Sequence, residues 1–294
     1  MADHQEQGSS PNEAILFVLT YLPLFELLLI TRVCRSLRDA VKNDTLPWLK
    51  IVVDRPLNRH LSDDRLVEVA SRAQPRLQLL LLINCLNITD DGLFRVIANN
   101  PRITKLHVPG CTSLTPGGMV RAVQLLTKDN HRLQSLKISG IYGVRKEDLH
   151  TLRGLIKHKR SKTFIHDYYK FSTMKQIETD SSIDVDICPK CNEVRMVFDC
   201  PRLLCEKQQQ KAGAGECRGC ESCIMRCVEC GVCLKGIQEL EEASCADAMC
   251  LECWLKLPKC NFCNKPYCSK HVHQQHTVSE STGFICATCH SKFN

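Results

Sequence analysis

The apolar positions of the chain fall into three successive patterns. Residues 1–9 are polar and read as disordered. Ser10-Pro11-Asn12-Glu13 then marks a helix start, in which Ser10 caps, Pro11 suits the first helical position and Glu13 closes a capping box. Ile15, Leu16, Leu19 and Leu22 follow at helical spacing until Leu22-Pro23 breaks the run. A second helix starts at Pro23, with Leu24, Leu27, Leu28 and Thr31 on one side. A third covers about 33–41, and Asp44, Pro47 and Trp48 close the unit. Three short helices bury little core by themselves. They are either a lead-in to the next domain or a docking module that leaves an apolar face for a partner.

The second pattern repeats. Leu61-Ser62-Asp63-Asp64-Arg65-Leu66 is echoed by Ile88-Thr89-Asp90-Asp91-Gly92-Leu93, Leu114-Thr115-Pro116-Gly117-Gly118-Met119 and Val144-Arg145-Lys146-Glu147-Asp148-Leu149, at offsets of 27, 26 and 30 residues. Upstream of the last three sit Leu79-x-Leu81-x-x-Asn84-Cys85, Leu106-x-Val108-x-Gly110-Cys111 and Leu136-x-Ile138-x-Gly140-Ile141. The alternating pairs predict a strand on one face, and the downstream spacing predicts a helix on the other. This period and shape resemble the cysteine-containing type of leucine-rich repeat. The resemblance implies three full repeats and one partial one over about 49–155, with Cys85 and Cys111 turned inward as structural residues.

Beyond the repeats, Lys157, Lys159, Arg160 and Lys162 open a linker that ends in an acidic run at 180–186. The basic cluster reads as a solvated helix or linker end, with a nuclear address as the alternative. Tyr168, Tyr169 and Phe171 are too few for a nucleic-acid platform.

Composition changes the picture at the third pattern. Of 21 cysteines, only Cys34, Cys85 and Cys111 precede residue 188. The amino terminus has neither the basic start nor the apolar core of a secretory signal, and no apolar run approaches the roughly 20 residues that span a bilayer. The expected location is the nucleus, the cytoplasm or both, where thiols stay reduced. Metal therefore explains the cysteines better than disulfides do. Cys188-x2-Cys191, Cys217-x2-Cys220-x2-Cys223, Cys227-x2-Cys230-x2-Cys233, Cys250-x2-Cys253, Cys260-x2-Cys263 and Cys286-x2-Cys289 have knuckle spacing. Cys200-x4-Cys205 and Cys263-x4-Cys268 are wider, and Cys245 stands between pairs. Two intervening residues let one turn aim both thiolates at a single zinc about 2.3 Å away, and four thiolates close the coordination sphere, as structural sites require.

Eighteen cysteines and two histidines would make twenty ligands for five zinc ions. Cys268-x2-His271 nominates His271 as one histidine, and His273, His276 and His290 compete for the other place. Four or five structural zinc ions are expected. Iron–sulfur chemistry is the competing metal reading, because Cys217, Cys220, Cys223, Cys227, Cys230 and Cys233 crowd together. Few apolar groups surround the knuckles: Val194, Met196, Val197, Phe198, Ile224, Trp254, Leu255, Leu257, Phe262, Tyr267 and Phe284 are the expected core. Metal must then supply the folding free energy of this region. Charge follows from the same chemistry. The formal net charge is +7, but eighteen thiolates and five divalent ions would leave residues 188–294 at about −7. That disfavours nucleic acid as a partner, and a membrane partner is not expected. No Gly-rich phosphate loop, Ser/His/Asp set or deaminase-type His-x-Glu motif occurs, and Cys188-Pro-Lys-Cys191 reads as a knuckle, not a redox motif.

Pro11, Leu19, Leu22-Pro23, Leu27-Leu28 and Val33-Cys34-Arg35, with Leu46-Pro47-Trp48, resemble an F-box. Two positions depart from the family: Ser10-Pro11 replaces its opening Leu-Pro, and Leu37 stands where its tryptophan usually does. With the repeats and the cysteine-rich tail, the whole is similar to plant F-box proteins of the Skp-interacting-partner group, most like the member numbered fourteen. The resemblance implies a multidomain α+β chain: a three-helix F-box over 10–50, a short α/β leucine-rich-repeat solenoid over 51–156, a linker over 157–187 and an irregular zinc-built module over 188–294. It implies a non-catalytic substrate receptor of an SCF-type cullin–RING ubiquitin ligase. Pro11, Ile15, Leu19, Leu22, Pro23, Leu27, Leu28, Val33 and Cys34 would meet the Skp-type adaptor, which leads to the cullin and RING subunits. The repeats and zinc module would hold a protein target. Two alternatives remain: a stand-alone RING-like ligase, against which the chain lacks the tight Cys-x-His of a RING cross-brace, and a zinc-dependent nuclear or nucleic-acid-binding factor.

Overall fold

The computed structural model describes residues 18–128, 133–156, 182–202, 205, 217–234, 240–277 and 283–292. These residues divide into two compact units: the first runs to 156 and includes 182–186, and the second comprises residues from 187 onward.

The first unit opens with the short helices α1 (Leu24–Ile30) and α2 (Arg35–Asn43). Pro23 precedes α1 with extended backbone and Cys34 precedes α2, its Sγ accepting from Leu37 N–H. The α2 face anchors through Val41, and Trp48 is buried with its indole N–H donated to the Val41 carbonyl at 2.9 Å. Four strands follow, β1 (Lys50–Val53), β2 (Leu79–Leu82), β3 (Lys105–His107) and β4 (Ser135–Lys137), paired in parallel in chain order. After each comes a helix: α3 (Asp63–Ser71), α4 (Asp90–Asn99), α5 (Pro116–Thr127) and α6 (Lys146–Leu155). Parallel pairing with a crossover helix per strand requires strands buried against helices, and the residues comply. Ile51, Leu80, Leu106 and Leu136 stand in one register column, each fully buried. Leu66, Leu93, Met119 and Leu149 meet them from the helices, also fully buried. Truncating any of these to Ala would cost about 2–5 kcal/mol.

The register corrects the sequence reading by one residue. Leu79-x-Leu81 was aligned with Leu106-x-Val108, but Leu80 pairs with Leu106 and Leu79 with Lys105. Four consecutive leucines carry no polar–apolar alternation, so their pattern leaves the facing residue open, and a one-residue slip exchanges the two faces. In the corrected register, Asn84, Gly110 and Gly140 occupy the same turn with φ of 52°, 71° and 83°. That left-handed conformation favours glycine and tolerates asparagine. The next residues, Cys85 and Cys111, are fully buried, and the Cys111 thiol donates to the Leu82 carbonyl at 3.3 Å.

A polar ladder runs along the helix starts. The Asp63 carboxylate accepts from Thr89 N–H and Oγ1 at 3.0 and 2.6 Å, and Asp90 does the same for Thr115 at 3.0 and 2.6 Å. Each first-turn aspartate thus fixes the N-cap residue of the next helix. Pro116 occupies the corresponding place in α5, so the ladder ends at Thr115.

The final strand edge is closed by residues that the sequence assigned to a linker. Ile183 bridges Leu136 in parallel, and Leu136 N–H donates to the Ser182 carbonyl at 2.7 Å. The half-buried Asp184 accepts from Ile138 N–H at 2.8 Å and Ser139 N–H at 3.1 Å. An open edge exposes unpaired backbone groups, and this carboxylate satisfies two of them. The basic cluster and aromatics of 157–181 lie outside the described residues.

Candidate metal centres

The second unit has little regular structure: the ribbon of Glu241–Glu242 with Ala248–Met249, that of His276–Thr277 with Phe284–Ile285, and the helix α7 (Leu251–Lys256). Cysteine fills its interior. Buried Cys227, Cys250 and Cys268 pack with Val228, Ala243 and Met249, and Cys260, Cys286 and Cys289 with Tyr267 and Phe284. Val197, Phe198, Tyr267 and Phe284 are buried as the sequence suggests. Leu255 and Phe262 are not, at 62% and 57% exposure, because sulfur occupies the space that a larger apolar core would need.

All 21 cysteines are free thiols. Among the described residues, side chains with metal-ligating atoms gather into five groups of four, each with its ligand atoms within 4.8 Å of one another. Four groups are all cysteine: 188/191/220/223, 200/205/217/233, 227/230/250/253 and 260/263/286/289. The fifth joins Cys245, Asp247, Cys268 and His271. Every cysteine of the tail and His271 is thereby placed, and the twentieth position is Asp247. The histidines expected to compete for it lie elsewhere: His276 stacks on His290 at 4.1 Å, and the His273 ring is 6.2 Å from that of His271.

Sulfur spacing defines what these groups can hold. The closest sulfur pairs within the all-cysteine groups lie at 3.4–3.9 Å, and all four ligand atoms of a group within 4.8 Å of one another. A tetrahedron with Zn–S bonds of about 2.3 Å has S–S edges of about 3.8 Å, so each group fits one ion. In an iron–sulfur cluster the cysteines bind different iron atoms and spread further apart. Local backbone explains the convergence: Asn192, Gly231 and Asn264, directly after Cys191, Cys230 and Cys263, have φ of 62°, 76° and 56°. These left-handed residues turn the chain so that both sulfurs of a knuckle face one point.

Electrostatics agree with that use. Burial pushes the Cys188 thiol up, but N–H donors of Cys191, Cys220 and Lys190 bring it down to about 6. Cys260 is brought to about 6 in the same way by Cys263, Cys286 and Phe262. For Cys227 the hydrogen bond from Cys230 leads, giving about 5 despite burial. Their neighbours move oppositely: burial, then hydrogen bonds with adjoining thiols, raise Cys205 to about 11 and Cys289 to about 12. Four adjoining thiols cannot all ionise alone, and a divalent cation removes that obstacle.

Arg226, which the sequence gave no reason to single out, is buried between two groups. Its guanidinium donates to the carbonyls of Phe198 (2.8 Å), Asp199 (3.3 Å), Gly231 (3.3 Å) and Cys217. A buried guanidinium held by carbonyls alone needs compensating negative charge nearby. Thiolates of the neighbouring cysteine groups would supply it.

In the first unit, the expected adaptor contacts divide. Leu22, Pro23 and Leu28 are half-buried, and Val33 and Cys34 are exposed. Leu19 and Leu27 are buried, so here they hold the helices together and offer no surface. Pro11 and Ile15 lie outside the described residues.

Two family profiles match the chain: the F-box domain at residues 11–49 and the At3g27290 F-box protein C-terminal domain at 184–262. The first ends where β1 begins, and the second starts at the sheet-closing Asp184. The F-box protein SKIP28 of Arabidopsis thaliana is 42% identical over 297 aligned residues, which cover 98% of this chain and 93% of that protein. The chain is an F-box protein of the SKIP group. SKIP14 of the same plant is 34% identical over 86% of this chain and 56% of its own length, and the F-box protein At3g27290 is 35% identical over 82% and 65%. Among SKIP-group relatives, similarity thus extends through the cysteine-rich tail.

Proposed function

We propose that this F-box protein is a substrate adaptor of an SCF-type cullin–RING ubiquitin ligase. Its F-box binds a Skp-type adaptor, which connects it to the cullin and RING subunits. The four strand–helix units serve as a short leucine-rich-repeat solenoid, and the repeats or the cysteine-rich module, loaded with structural zinc, hold the protein target. Its work is holding and not catalysis. The F-box match over 11–49 carries this reading, and within it the half-buried Leu22, Pro23 and Leu28 and the exposed Val33 offer an apolar contact. The test is co-purification with the Skp-type adaptor. Leu22→Ala with Pro23→Ala, and separately Val33→Asp, should lower recovery at least about tenfold, equal to about 1.4 kcal/mol. Unchanged recovery by folded variants would remove the assignment.

A second reading, a stand-alone RING-like ligase, is favoured by one observation. The tight pair missing as Cys-x-His is present as Cys245-x-Asp247, and the ligand pairs alternate: 227/230 with 250/253, and 245/247 with 268/271. Purified chain mixed with ubiquitin, activating enzyme and conjugating enzyme discriminates the two. Ubiquitin chains formed without cullin, and lost in Leu255→Ala, would move the assignment to this reading; their absence keeps the adaptor role.

A further inference from the structure

The four all-cysteine groups consume sixteen cysteines and leave two, Cys245 and Cys268, which are 23 positions apart in the chain. Their thiols nonetheless converge on a single carboxylate oxygen: Asp247 Oδ2 lies 3.3 Å from Cys245 Sγ and 3.0 Å from Cys268 Sγ. His271 Nδ1 completes the set, 3.1 Å from the same oxygen and 3.2 Å from Cys268 Sγ. One carboxylate oxygen has two lone pairs and here faces three potential donors, more than hydrogen bonding alone can serve. A cation between the four atoms reverses their roles, because each then presents a lone pair to it.

We propose that Cys245, Asp247, Cys268 and His271 form a mixed-donor site for one divalent first-row cation, zinc in the cell, that exchanges more readily than the metals of the four all-cysteine groups. The proposal rests on reading those groups as zinc-loaded. A tetrahedron with bonds of about 2.0–2.3 Å has edges of about 3.3–3.8 Å, so an expansion of a few tenths of an ångström admits the ion. The backbone independently marks the position. Ala246, between the two ligands, has φ of 62°, a conformation that costs an alanine roughly 1 kcal/mol and turns Cys245 and Asp247 toward one point. The two nearest all-cysteine groups place Gly231 and Asn264 in that conformation, residues that tolerate it; here a residue that does not is held in it.

Donor chemistry separates this site from its neighbours. Replacing two thiolates with a carboxylate and an imidazole lowers the ligand charge from −4 to about −3 and removes soft donors, which bind zinc most strongly. Three of the four ligands are half-buried and one is buried, so accessibility does not set this site apart and its donor set does. The site closes the ribbon 241–249 over residues 265–268: Ser244 N–H donates to the Pro266 carbonyl at 2.7 Å, and Cys245 packs on both cores of this region.

The test counts zinc in the purified full-length chain by native mass spectrometry and follows its release to the chromophoric chelator 4-(2-pyridylazo)resorcinol. Unsubstituted chain should carry five ions, one of them leaving about tenfold faster than the rest. Asp247→Ala should carry four ions and show no fast release. Asp247→Cys, which restores an all-soft corner without altering the other groups, should carry five and convert the fast ion into a slow one. Five ions in Asp247→Ala, four in the unsubstituted chain, or a fast ion that persists in Asp247→Cys would overturn the proposal. Zinc absent from every variant would instead sink the metal reading of the all-cysteine groups.

Discussion

Replacing Arg226 with methionine removes the only contact that ties the carbonyls of Asp199, Cys217 and Gly231 to one side chain. Phe198 O keeps a second partner, the Gly219 N–H at 3.1 Å. Three carbonyls, two of them buried and that of Asp199 half-buried, are therefore left short, at about 1–3 kcal/mol each. Methionine returns about 1–2 kcal/mol through burial of its apolar stem. The expected net loss is about 1–8 kcal/mol, whose middle is enough to unfold a unit with so small an apolar core. On the zinc-loaded reading proposed above a second effect acts on the metal: four thiolates around a divalent ion would carry two net negative charges, and the buried guanidinium is bonded to the carbonyl of one ligand residue, Cys217. Lysine at the same position keeps the charge but cannot fork to several carbonyls. Thermal melts and zinc release to a chelator should therefore rank the original chain above Arg226→Lys, and that above Arg226→Met. An Arg226→Met protein that melts and releases zinc like the original would refute the reasoning.

Two further outcomes are expected in the first unit. A Cβ on Gly118 would stand 2.2 Å from the Asp90 carboxylate, so Gly118→Ala should break the Asp90–Thr115 rung and lower stability by about 2 kcal/mol, although alanine is otherwise the better helix former; a stabilised variant in urea titration would contradict the ladder. Burial, and then Lys137 and Lys105, depress His107 to about 3. A base depressed when folded binds its proton only when unfolded, so its contribution is complete above about pH 6.5 and is lost as pH falls below that value. With Trp254→Phe making Trp48 the sole tryptophan reporter, His107→Leu should lose about 1 kcal/mol less than the parent between pH 7.5 and 5.5; parallel curves would show that His107 is not the sensor.

The features most legible in the sequence are those in which period or spacing leaves one solution. Repeats at 26–30 residues forecast the strand–helix order, and Cys-x2-Cys spacing forecast the knuckles. The run of leucines at 79–82 did not disclose its register, because every position suits either face. Asp247 was hidden for another reason: a carboxylate among 32 acidic residues carries no signal, whereas a histidine at knuckle spacing does. The spacing Cys245-x-Asp247 and the two cysteines left over from the fourfold sets were the available clue. Asp184 was masked in the same way by the acid-rich run around it, and Arg226 was masked because its partners are backbone carbonyls, which no side-chain pattern reports. Leu255 and Phe262 were assigned to a core because apolar residues usually form one, but here thiols take that role.

The alternation of ligand pairs has a consequence for how the tail is made. Wherever the chain is cut between Cys188 and Cys289, at least one four-ligand group is left with members on both sides. During synthesis from the amino terminus, the group begun at Cys188 closes when Cys223 emerges, and the next only at Cys233, by which time Cys227 and Cys230 are already waiting. Half-sites therefore open before earlier ones have closed, all the way to Cys289. On the zinc-loaded reading, metal capture would follow the order of synthesis as well as affinity, and a chain that stops between Cys188 and Cys289 would end with an incomplete set of ligands. A copy truncated there would carry reactive thiols at an unfolded end.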